Sequence, residues 1–256
     1  MDTKNDNANI MTTVITKKKE DEYYLKLKES IEQQTGFKIS FEGLYKWIVF
    51  TSSKQNDTLP VPNRYFGSFE NNSLKIRGLE IRRHDTPVFF SKFQNEILEV
   101  IARGNSINEV KKLMLEVMNT FQKYAIRLKE GQVPLEELIF TKILSKDFDE
   151  YQKGRNTVEN SAINLLNSEG KTMKAGELLR YVITDYYQRY SVIWAIPIEL
   201  ITFDMEKTKN TTYDLIRYKG LLAETCNSVI EHFGYSMSSQ LDCNVVLSSS
   251  HQHAGL

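Results

Sequence analysis

The hydrophobic period of this chain changes at Gly36 and changes back at Pro87, and that double switch restricts the fold more than any other feature. Upstream, "EDEYYLKLKESIEQQTG" sets Tyr24, Leu25, Leu27 and Ile31 at helical spacing, with Gly36 as a stop. Then "FKISFEG", "LYKWIVFTS", "NRYFGSFE" and "SLKIRGLEI" read as β-rich runs, separated by Asn71-Asn72 and by the proline-bearing loop "NDTLPVPN". From Pro87 the helical period returns. "PVFFSKFQNEILEVIARG" runs to Gly104, and "SINEVKKLMLEVMNTFQKYAIRLKEG" opens on a Ser106–Glu109 capping box and runs to Gly131. One helix, a short antiparallel sheet and a long helical tract predict an α+β chain.

Further on, "EELIFTKILS" and "LLRYVITDYY" predict strands on either side of a helix near "TVENSAINLLNSEG". A last helix, "TYDLIRYKGLLAETCNSVIEHFG", closes at Gly234. The expected organisation is a flexible polar leader over 1–19 (with "MTTVIT" as a stray strand), a small sheet with one helix over 20–86, a mostly helical domain over 87–236, and a loose tail over 237–256. The chain contains no apolar run near the roughly 20 residues of a membrane span. Its polar N-terminus and two cysteines, Cys226 and Cys243, suit a reducing, cytoplasmic setting.

With 33 basic and 33 acidic side chains, net charge offers no argument for nucleic-acid binding, so any such argument rests on local clusters. The densest lies in "SLKIRGLEIRRHDTP", where Lys75, Arg77, Glu80, Arg82, Arg83, His84 and Asp85 surround Gly78. Alternation places Lys75, Arg77 and Leu79 on one face and Ile76 on the other, and Gly78 permits a bulge or a close approach by another backbone. Two readings stand: a phosphate-contacting edge whose arginines are held by Glu80 and Asp85, or a solvated strand end of self-neutralising pairs. Lys46, between Tyr45 and Trp47, either reaches a phosphate or snorkels from a half-buried strand. In "ILSKDFDEYQKGRNTVENS", Lys146, Lys153 and Arg155 surround Tyr151 ahead of a helix start at Asn156 or Thr157, a pattern shared by phosphate contacts and ordinary capping loops. Asp147 and Asp149 lie in a charged helical or loop segment with lysines beside it rather than converging from adjacent strands, so they do not read as a two-metal site. The four histidines show no HExxH spacing, and P-loop, GxSxG and GxGxxG motifs are missing.

Four segments, in order, resemble the C-terminal part of archaeal family B DNA polymerases. "TGFKISFEGLYKWIVF" and "NRYFGSFENNSLKIRGLEIRRHDTP" are similar to the palm beyond the catalytic aspartate hairpin. "FTKILSKDFDEYQKGRNTVENSAINLLNSEGKTMKAGELLRYVITD" and "IPIELI…YDLIRYKGLLAETCNSVIEHFGYS" look like the thumb. SLYPS-type and YGDTD-type metal motifs, a fingers helix and an exonuclease motif do not occur, and Asp2-Thr3 is half of a DTD at most. The resemblance therefore implies the small subunit of a split polymerase, holding primer–template duplex and inactive alone. A large subunit would carry the metal-binding aspartates, with Mg2+ at that partner's site and no cofactor in this chain. A degenerate fragment that regulates DNA or a polymerase is the alternative, and a purely structural partner a third.

By the same resemblance, Lys46 takes the place of a primer-contacting lysine, followed here by Trp47. Arg77, Gly78, Glu80, Arg82, Arg83 and Asp85 match the second palm segment, and Tyr151, Lys153, Arg155 and Thr157 match the thumb loop on the minor-groove backbone. Tyr45, Lys75 and Lys146 complete the candidate DNA-contacting set. Gln240 lacks the aromatic pair of a sliding-clamp peptide, so clamp binding is not expected.

Overall fold

The computed structural model describes residues 21–52, 60–152, 157–184, 194–201 and 213–238, which form seven α-helices and two three-stranded antiparallel sheets. The α+β class read from the sequence is the class observed. The chain falls into two compact units, one containing the residues up to Leu79 together with Glu99–Met114, the other Glu80–Leu98 and the residues from Leu115 onward.

The first unit carries helix α1 (Asp21–Thr35) and the sheet β1 (Tyr45–Ser52), β2 (Pro60–Phe69) and β3 (Leu74–Arg77), paired in that order. The Asn71-Asn72 turn forms as expected: Asn72 adopts φ +65°, which asparagine tolerates, and its N–H donates to Phe69 O at 2.9 Å. One face of the sheet is the core, with Trp47, Val49, Phe66 and Ile76 buried. Helix α3 (Ile107–Lys112) begins at the capping box, where Glu109 N donates to Ser106 Oγ at 3.3 Å. The Glu109 carboxylate reaches back one residue beyond the standard motif and accepts from Asn105 N at 2.9 Å.

Three local expectations are corrected. The run 37–43 is not a strand: Ile39 N donates to Glu32 Oε1 of α1 at 2.9 Å instead of to a neighbouring strand. β3 ends at Arg77, so Leu79 leaves the alternation and is fully buried. The helix expected over 106–131 is two helices, α3 and α4 (Met114–Lys129), because Leu113 N closes a tight bond to Val110 O at 3.0 Å.

The second unit takes most of α2 (Val88–Ala102), and it contains α4, β4 (Phe140–Ile143), α5 (Phe148–Gln152), α6 (Val158–Ser168), β5 (Leu178–Ile183), β6 (Ala195–Pro197) and α7 (Leu215–Ile230). Its sheet pairs β4, β5 and β6 in order. The core is aromatic: Phe90 stacks on Tyr218 and Phe140 on Tyr181, at centroid distances of 6.0 and 5.6 Å. The buried Tyr218 hydroxyl donates to Leu138 O at 2.8 Å and accepts from Ile183 N at 3.2 Å, which ties β5 to the turn before β4. Burial pushes its pKa far above the ordinary 10. Among the described residues no helix is long and apolar enough to cross a membrane.

Candidate nucleic-acid interface

In the first unit the solvent face of the sheet gathers basic and aromatic side chains. Lys75 and Arg77 of β3 pair with Gly67 and Tyr65 of β2, and Tyr65 lies 5.6 Å from the exposed Phe50 ring. Tyr45 stacks on Phe69 at 4.3 Å, and its hydroxyl pKa is raised by burial and by the neighbouring Tyr65 and Glu42. Lys75 donates to Glu42 Oε1 at 2.7 Å, while Arg77 is exposed. Cations interleaved with rings can take both phosphates and bases. At Gly78 the expected close approach is present: φ is +68°, and a Cβ would stand 2.8 Å from Asn63 O.

Lys46 does not join this face. Tyr45 pairs with Phe69 and Trp47 with Ser68, so Lys46 is the extra residue of a β-bulge, which re-aims its side chain. Its ammonium donates to Ala102 O at 2.8 Å and to Asn105 Oδ1 at 3.4 Å, both at the C-terminal end of α2, and to Asn72 Oδ1 in the β2–β3 turn, so all three donors meet protein acceptors. Burial lowers its pKa, with Glu109 opposing. Lys46→Met should therefore lower stability by about 1–2 kcal/mol, the net worth of part-buried hydrogen bonds from a charged donor. Chemical denaturation of the full chain measures this, and a primer-contacting lysine would instead lower duplex affinity at unchanged stability.

In the second unit Glu80–Arg82 forms one 3-10 turn, closed by Arg83 N donating to Glu80 O at 2.9 Å. Arg82 and Arg83 are exposed. The Arg83 guanidinium forks onto Asp85, with Nε to Oδ1 at 2.8 Å and Nη2 to Oδ2 at 2.6 Å, so one expected carboxylate–arginine clamp is present. Glu80 points its carboxylate at Gln94 and Ser228 instead, and acts on Arg83 through its charge. The Arg83 hydrogen bond holds the Asp85 carboxyl below its ordinary 3.8. A lowered folded-state pKa contributes stability that is fully present above the unfolded value and is lost as pH falls through the folded one. We expect Arg83→Gln to return the Asp85 titration toward 3.8, read by NMR of its carboxyl carbon.

Of the thumb-loop set, Lys146 is exposed, and the Tyr151 hydroxyl receives Ser145 N at 3.3 Å. Thr157 caps α6 by accepting from Asn160 N at 3.2 Å, the helix start expected there. Lys153 and Arg155 lie outside the described residues. Asp147 accepts from Ala175 N at 2.8 Å, a loop staple. Among the described residues no group of three or more His, Cys, Asp or Glu side chains could hold a metal ion.

Sequence reasoning missed Gln94 and Ser228. A signal existed for the first: Gln94 is a lone amide on the buried stripe Phe90, Phe93, Ile97, Leu98 and Ile101 of α2.

A model of DNA polymerase family B matches residues 6–245. The chain belongs to that family. It is 28% identical over 193 residues to DNA polymerase 1 of Saccharolobus solfataricus, covering 75% of this chain and 19% of that protein. To the DNA polymerase of Archaeoglobus fulgidus it is 27% identical over 84% of this chain and 26% of the relative. The fold also resembles the family B DNA polymerase of Pyrobaculum calidifontis, with a TM-score of 0.56 and 21% identity over 83% of this chain and 25% of that one. The chain thus spans about a fifth to a quarter of the family B polymerases it matches.

Proposed function

We propose that this family B chain is the duplex-holding, palm-and-thumb part of a DNA polymerase whose metal-binding aspartates, fingers and exonuclease are on a separate large chain. The observation that carries the reading is the family match over residues 6–245, joined to exposed cations on the described surface and an exposed apolar stripe on α1. A polymerase holds primer–template of any sequence, so such a part should bind phosphates and sugars and mostly leave base edges alone. Lys75, Arg77, Arg82, Arg83, Lys146 and the helix start at Thr157 are of the kind that does so, with Glu80 and Asp85 acting on Arg83 and, in the first unit, Tyr45 stacked on Phe69. The exposed apolar side chains Tyr23, Leu27 and Ile31 on one stripe of α1, with Phe37 and Phe50, suit a covering protein chain, which favours a heteromer. Mg2+ belongs at the partner's site in this reading, and the setting is intracellular.

Primer extension tests it, with a candidate large chain alone, this chain alone, and the two mixed. Synthesis or processivity that appears only in the mixture, and weakens with Arg82→Ala/Arg83→Ala, is the expected result. Absence of a complex, with extension unchanged, removes the split-polymerase reading for that pair. Duplex binding without any rescue of synthesis would instead make the chain a regulator.

A further inference from the structure

The Gln94 side chain is completely buried, yet every polar atom it has is used on the segment that carries the arginines or on α7. Its Oε1 accepts from Ile81 N at 2.7 Å. Its Nε2 donates to Glu80 Oε2 at 2.7 Å, and lies 3.0 Å from Ser228 Oγ and 3.4 Å from Thr225 O. Ser228 Oγ in turn stands 2.9 Å from the same Glu80 oxygen and 2.8 Å from Thr225 O. One neutral amide therefore grips both the backbone and the side chain of the 3-10 turn from which Arg82 and Arg83 emerge, and α7 closes the ring.

The chemistry of this clasp is selective. A neutral donor satisfies the Glu80 carboxylate without cancelling its charge, so Glu80 continues to act on the Arg83 guanidinium. A lysine at 94 would neutralise Glu80, and an apolar residue would take from Ile81 N its side-chain acceptor and from the Glu80 carboxylate one of its donors. Holding the backbone at Ile81 also removes freedom that two long cationic side chains would otherwise lose on meeting a phosphate.

We propose that Gln94 is a positioning residue: with Ser228 it clamps Glu80 and Ile81 so that Arg82 and Arg83 are presented to duplex phosphates in a preset geometry. The proposal rests on the duplex-holding role given above. It is distinct from packing, because it assigns the effect of a buried amide to two exposed arginines.

The test compares the wild-type full chain with Gln94→Glu, Glu80→Gln/Gln94→Glu and Ser228→Ala. Each is assayed by trypsin cleavage at the Arg82–Arg83 and Arg83–His84 bonds, and by anisotropy of a labelled primer–template duplex across a salt series. Gln94→Glu sets two carboxylates together, so cleavage should rise and duplex affinity fall, each by roughly tenfold, with a salt slope smaller by about one for each phosphate that the arginines no longer reach. The exchanged pair restores one carboxylate and one amide, and both readouts should return to within about threefold of wild type. Ser228→Ala removes a single hydroxyl and should shift both in the same direction by about two- to fivefold, which serves if Gln94→Glu does not fold. Wild-type cleavage and binding in Gln94→Glu, or an exchanged pair no better than the single variant, overturns the clasp. If the wild-type chain binds no duplex, the duplex-holding role falls, and the cleavage pattern alone then upholds or overturns the clamping of the turn.

Discussion

Gly78→Ala should destabilise the chain by about 3 kcal/mol or more, whereas Gly131→Ala, at nearly the same backbone angle, should cost only about 1–2 kcal/mol. The two glycines have φ of +68° and +66°. Both substitutions meet the left-handed penalty of an L-residue. At Gly131 an added Cβ meets nothing within 4 Å, but at Gly78 it would stand 2.8 Å from Asn63 O and 3.2 Å from Arg64 Cα. Those are backbone atoms, and Asn63 is itself held at φ +61° within an irregular stretch of β2, so neither partner can swing aside as a side-chain tip would. Paired thermal melts measure the difference, which should be on the order of 2–8 °C for a chain of this size. Equal losses in the two variants would show that β2 yields freely at Asn63, and the close approach would then carry no energetic weight.

Trp47→Ala should be more damaging still, at roughly 3–5 kcal/mol. Trp47 is 1% exposed, meets Phe66 edge-to-face at 6.2 Å, and donates from Nε1 to the buried Gly104 O at 2.9 Å. Truncation opens a cavity behind the first sheet and leaves that carbonyl without its donor. Trp47→Phe keeps most of the volume and loses the hydrogen bond, so it should cost about 1–2 kcal/mol. Denaturant titration of both variants checks the split. If Phe and Ala cost the same, the hydrogen bond dominates and the packing contributes little.

The elements that could be read in the sequence were those whose cause is local. Apolar spacing gave α2 and α7, the capping chemistry of Ser106 and Thr157 gave two helix starts, and Asn71-Asn72 gave a hairpin. The run 37–43 misled because Phe37, Ile39 and Phe41 alternate like a strand, while alternation does not supply a neighbour to pair with. The break at Leu113 was invisible because its neighbours are good helix formers, and what ends α3 is a backbone bond that closes three residues back.

The site divides in the same way. The charge cluster around Gly78, the close backbone approach there and the Arg83–Asp85 pairing follow from residues near one another in sequence. Lys46 shows the limit: its neighbours suggest a hand offered to a ligand, yet a single extra residue in β1 turns it onto Ala102, fifty-six positions away. Gln94 and Ser228 are more distant still, 134 positions apart and meeting at one carboxylate oxygen. Composition, period and local turn chemistry by themselves determined an α+β chain with a basic segment after its first sheet. Which cations remain open to a ligand and which are bound by the protein was decided only in the tertiary structure, because a hydrogen bond depends on distances in space that sequence separation does not encode.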